Sequence, residues 1–142
     1  MRRGRVFVAV GLVALLVGLA GTLWLRSRHS TSNEHDLEVA AAQSVLPNLC
    51  TMEKSVVGGR ASEAFDLFWD SVHTDAHILA ALLDAADRAK AAAFLEAKGF
   101  IERDLATLSV TGLRNHVPPF IAATRDGLRA LGLAGSDYAC PS

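Results

Sequence analysis

Residues 61–84 read ASEAFDLFWDSVHTDAHILAALLD. Phe65, Phe68, Val72, Ala76, Leu79 and Leu83 recur here at intervals of three and four, which places them along one face of a helix. A half-buried strand would alternate apolar and polar residues, and no such run occurs. This is the clearest amphipathic signal in the chain, and it sets the reading of both flanks.

On the N-terminal side, residues 34–57 form a second helical pattern, with Leu37, Ala41, Val45, Met52 and Val56 broadly on one side. Ser32 or Asn33 caps it, and Glu34 and Asp36 occupy its first turn. Pro47 lacks an N–H and crowds the preceding turn, so it kinks or splits this helix. Gly58 and Gly59 end it. On the C-terminal side, Asp84 or Asp87 caps a helix over 87–108 whose core face is Ala91, Phe94, Ala97, Ile101, Leu105 and Leu108. The stretch LEAKGFIERDL within it reads as a solvated face. Residues 109–117 read as a loop containing Gly112. Pro118 and Pro119 suit the first turn of a last helix, with Phe120, Thr124, Gly127 and Leu131 inward. From residue 31 onward there are 21 Ala and 14 Leu against ten Val plus Ile, which favours helix over strand. Four helices over 34–132 joined by short loops predict an up-down-up-down bundle, all-α, with residues 133–142 as a tail.

Ahead of the bundle stands an uncharged run, Val6–Leu25, VFVAVGLVALLVGLAGTLWL. Twenty helical residues at about 1.5 Å each span roughly 30 Å, the thickness of a bilayer core. Cleavage after Ala20 is the rival reading, with Gly18 and Ala20 as the small residues before the cut. The run continues past that point to Trp24, Arg26 and Arg28, which favours an uncleaved transmembrane anchor. Residues 26–33 are a polar linker. Arg2, Arg3 and Arg5 precede the span, so the positive-inside rule keeps residues 1–5 in the cytoplasm and sends the bundle outside it. Gly11, Ala14, Gly18 and Gly21 form a small-residue stripe that suits close approach of a second helix, a protein partner or a homodimer copy. Gly and Ala are also common in spans without any such role.

The formal net charge of −1 is a sum of unlike parts. Residues 1–30 carry five Arg and no acid, +5; residues 31–142 carry nine Lys or Arg and fifteen acids, −6. The acidic part repels phosphates, which excludes nucleic acid as a partner. The two cysteines, Cys50 and Cys140, both follow the span, and an even number outside the cytoplasm fits one disulfide. The tail is long enough to bring Cys140 back to Cys50. On a helical wheel Cys50 lies away from Leu37 and Ala41, which suits a tail clasped outside the bundle.

One constellation carries chemistry. Asp66, Asp70, His73 and His77 lie within about 60° of one another on an ideal helix, beside the apolar face. Histidines at i and i+4 share one metal ion, and carboxylates a turn away complete a site for zinc, copper or nickel. The plainer explanation is acids placed by the helix dipole and histidines at a core boundary. No second helix offers an evident further ligand. His73-Thr74-Asp75-Ala76-His77 is not the H-E-x-x-H of zinc proteases, since its acid sits one position late. Met52 and His116 are a weak pair for a noncovalent haem. His116, just before the prolines, reads as exposed or as a cap. Gly58-Gly59-Arg60 reads as a helix stop, not a phosphate loop. No nucleotide loop, serine elbow or spaced triad is present. What remains is a non-catalytic binding or interaction protein, with a metal-binding or metal-sensing domain as the alternative and no enzyme.

Overall fold

A computed structural model describes residues 33–140, and the apolar run 6–25 with its glycine stripe lies outside them. The described residues contain helices and turns and no strand. Among them no helix is long and apolar enough to cross a membrane. The first helix, α1, covers residues 33–57. It is followed by α2 (Ala61–Leu67), a π turn (Phe68–Val72) and α3 (His73–Ala86), which run on as one rod. Then come α4 (Arg88–Ala106) and α5 (Val110–Ala130). From Glu38 onward these pack as one unit.

Consecutive rods run antiparallel. Ser44 and Asn48 of α1 bond Asp75 and the Ser71 carbonyl, while Ser55 bonds Glu63, so numbers rise on one rod as they fall on the next. His77 faces Lys98 and His73 faces Glu102 across α3 and α4. Phe94 of α4 meets Phe120 of α5, ring centroids 5.2 Å apart. Arg114 of α5 closes the ring by donating to the carbonyls of Val56 and Val57 at the end of α1, where the helix dipole favours a cation. Phe68, Phe94, Phe120, Leu46, Met52 and Leu83 fill the centre.

Three of the rods stop in the same way. Arg60 N–H bonds the Ser55 carbonyl and Gly59 N–H that of Val56, with Gly59 at φ 75°. Leu133 and Gly132 repeat the pattern on Leu128 and Arg129, with Gly132 at φ 65°. At the end of α4 the left-handed position is Leu108, φ 50°, with Ser109 bonded to Asp104 and Leu108 to Leu105. All three are Schellman caps, but only at Leu108 does a Cβ stand where glycine is usual.

The structure corrects several sequence expectations. Helix α1 is not split at Pro47 but stays helical through it. Ala42, Val45, Leu46, Leu49, Met52 and Val56 are among its buried residues, while Leu37 is 70% exposed. Cys50 is buried rather than outside the core. Its sulfur is bonded to that of Cys140, with 5.0 Å between the Cα atoms. The tail that carries Cys140 lies on the core through Leu133 and is held by Arg125, which donates to the Tyr138 carbonyl.

In the second rod, Ala64 takes the inward place expected for Phe65. Buried positions 64, 68, 72 and 76 are spaced by four, and each such step overshoots a 3.6-residue turn by about 40°. The π turn absorbs that drift with its wider turn. Residues 109–117 are not a loop. Ser109 caps α5 by accepting from Gly112 N–H, two turns ahead of the prolines. Pro118 and Pro119 therefore sit inside the helix. Burial of Leu113, Val117, Phe120 and Ile121 along one face outweighs the two lost backbone bonds. A Cβ at Gly112 would push the Asp104 carboxylate aside. Asp87 alone joins α3 to α4, accepting from Lys90 N–H.

Candidate functional site

The outward face of the second rod carries a ladder of rings. Phe65 and Trp69 have centroids 6.1 Å apart, Trp69 and His73 4.4 Å, and His73 and His77 4.7 Å. Spacing by four along this rod stacks the rings, and the π turn keeps Trp69 over His73.

At the histidine end, α4 contributes two residues missed by the sequence reading. Glu102 Oε1 lies 3.2 Å from His73 Nδ1 and 2.5 Å from Lys98 Nζ. Lys98 Nζ also lies 3.2 Å from His77 Nε2 and 5.9 Å from the centre of the Phe68 ring. Lys98 is only 3% exposed. Its neighbours explain how a cation is held there: a carboxylate, an imidazole nitrogen and a ring face together replace water. Buried positions Ala91, Phe94, Lys98, Ile101 and Leu105 follow a strict three-four alternation. That register was the available signal for Lys98, and the inward place given to Ala97 concealed it.

One ligand atom each from His73, His77 and Glu102 lies within 4.8 Å of the other two. His73 Nδ1 is buried and has no hydrogen-bond partner despite its closeness to Glu102. Burial first, then the charge of Lys98 and the neighbouring His77, lower the His73 pKa below its ordinary 6.5 and favour the neutral ring. His77 borders an open groove of about 490 Å³ with Glu38, Thr74, Ile78 and Leu82, so the cluster is reachable from solvent.

The structure separates the expected quartet. His73 and His77 come together, whereas Asp66 and Asp70 are exposed and stand outside the cluster. A shared helical face is not a shared point: at about 1.5 Å per residue, Asp66 stands roughly 10 Å from His73 along the rod. Asp75 turns away to bond Ser44 of α1. His116 is neither free nor a cap: it stacks on Phe100 at 4.9 Å and places Nδ1 2.6 Å from Asp104 Oδ2. Met52 is buried in the core, bonded into no pair with His116.

The opposite end of the ring ladder is apolar and open. Phe65 is 38%, Trp69 41% and Leu108 48% exposed. Phe65 and Leu108 rim a hollow of about 280 Å³, with Leu105 and Ala106 also lining it and Ser62 and Asp66 at its polar edge. No protein-family model, no curated protein and no solved structure matches this chain.

Proposed function

We propose that this chain is a membrane-tethered, extracytoplasmic helical binding module with no catalytic step of its own. Residues 6–25 anchor it, and Arg2, Arg3 and Arg5 hold its N-terminus in the cytoplasm. The bundle then stands outside the cytoplasm, where a Cys50–Cys140 disulfide persists. Gly11, Ala14, Gly18 and Gly21 give the anchor a face for a second helix.

The observation that carries the reading is the apolar end made by Phe65, Trp69 and Leu108. Aromatic anchors left open to solvent are what binding surfaces offer. Leu108 reaches this surface from a left-handed backbone, and such strain is characteristic of functional positions. A hollow of about 280 Å³ lies below the roughly 300–1,000 Å³ of small-molecule pockets. It suits one inserted apolar side chain from a partner protein.

A photo-crosslinking residue at Asp66, introduced into the full chain in its native membrane, tests this. The expected result is a discrete adduct with another protein, lost when Phe65 and Leu108 are both changed to Asp. Absence of any adduct refutes the docking surface, and an adduct only between copies of this chain replaces the partner with a homodimer. Separately, an impermeant protease added to intact cells should cleave within the region after residue 31. Complete protection in folded and in partly denatured samples refutes the orientation.

A further inference from the structure

The geometry points to a transition-metal site at His73, His77 and Glu102 in which the buried ammonium of Lys98 is a resident cation that an incoming divalent metal must displace. The ligand set is two imidazoles and one carboxylate, drawn from two helices, which suits zinc, copper or nickel. The atoms lie within 4.8 Å of one another. Metal–ligand bonds of about 2.0–2.2 Å in a tetrahedral site require ligand separations of about 3.3 Å. Rotamer adjustment of His77, which borders the open groove, supplies the difference.

Two observations, both converging on Glu102 Oε1, point to a cation here. His73 Nδ1 is a buried nitrogen with no hydrogen-bond partner, turned toward Glu102. Lys98 Nζ already places a positive charge between His77 and Glu102. The same groups that stabilise the ammonium would ligate the metal, so the two cations exclude each other. A lysine stem of four carbons lets the ammonium swing out toward the groove. The plain structural alternative is a buried lysine satisfied by its neighbours, with no metal affinity.

The full chain in detergent micelles provides the test. Trp24 is first changed to Phe, leaving Trp69, 4.4 Å from the His73 ring, as the only tryptophan. Cu²⁺ should quench its emission saturably at one equivalent, and Zn²⁺ should compete. The pair His73→Ala/His77→Ala should abolish the effect. Lys98→Met should tighten Cu²⁺ binding by about tenfold to a hundredfold, the scale set by two charge-assisted hydrogen bonds no longer opposing it. In the unsubstituted chain, saturating Zn²⁺ should raise acetylation of the Lys98 amine several-fold, read by mass spectrometry. That second readout stands even if Lys98→Met fails to fold. No saturable binding tighter than about 10 μM in either form overturns the metal site. Binding that is retained, with equal affinity in Lys98→Met and no gain in Lys98 labelling, overturns the displacement while leaving the site.

Discussion

Lys98 Nζ lies 2.5 Å from Glu102 Oε1, one turn along the same helix, with the lysine almost wholly enclosed. The carboxylate is the main compensation for burying that charge. Glu102→Ala should destabilise the bundle by about 2 kcal/mol, less than the 3–5 kcal/mol of a fully buried pair because Glu102 keeps a third of its surface. Adding Lys98→Met should recover most of the loss, since an apolar side chain needs no counter-charge there. Urea denaturation of the single and double variants measures both effects. An additive double variant would show that the two residues do not compensate each other.

Acid should weaken the fold through His73. Its folded pKa is lowered by burial and by Lys98, so the unfolded chain takes up its proton first as pH falls. The stability owed to this group is complete above the unfolded value of 6.5 and is lost as pH drops toward the lowered one. The denaturation midpoint should therefore fall as pH drops below 6.5. His73→Gln should flatten that part of the profile. An unchanged slope would assign the acid sensitivity elsewhere.

Leu108→Gly should stabilise the bundle by about 0.5–1 kcal/mol, because the left-handed position costs a Cβ-bearing residue more than the flexibility glycine adds to the unfolded chain. Leu108 is half exposed, so the loss of its buried half offsets part of this gain. The same change should weaken the adduct formed from position 66. A stabilised variant with undiminished docking would separate the strain from the surface.

The Cys50–Cys140 bond closes a separation of 90 residues. Removing it should cost about 4 kcal/mol by its effect on the unfolded chain. Denaturation with and without reductant, compared with Cys50→Ala/Cys140→Ala, measures this. An equal midpoint in all three would show that the tail adds nothing to stability.

Much of the fold is legible in residue order alone. The amphipathic register of residues 61–84, the stop at Gly58-Gly59 and the cap at Asp87 follow from local rules, and the pairing of Cys50 with Cys140, 90 residues apart, follows from their being the only two cysteines. Spacing by three and four and the freedom of glycine operate within a few residues. What escaped the sequence depends on packing between helices. The π turn arises because a run of inward residues spaced by four must stay in contact with its neighbours, and Glu102 of α4, not Asp66 or Asp70, completes the histidine cluster. Pro118 and Pro119 lie inside α5 because the buried face of Leu113 and Val117 begins before them. Lys98 is inside because Glu102, His77 and Phe68 meet it there. Residue order determined that this chain forms helices and where most of them end. Tertiary structure alone decided which polar groups meet, because a buried charge is tolerated only where partners from two helices converge on it.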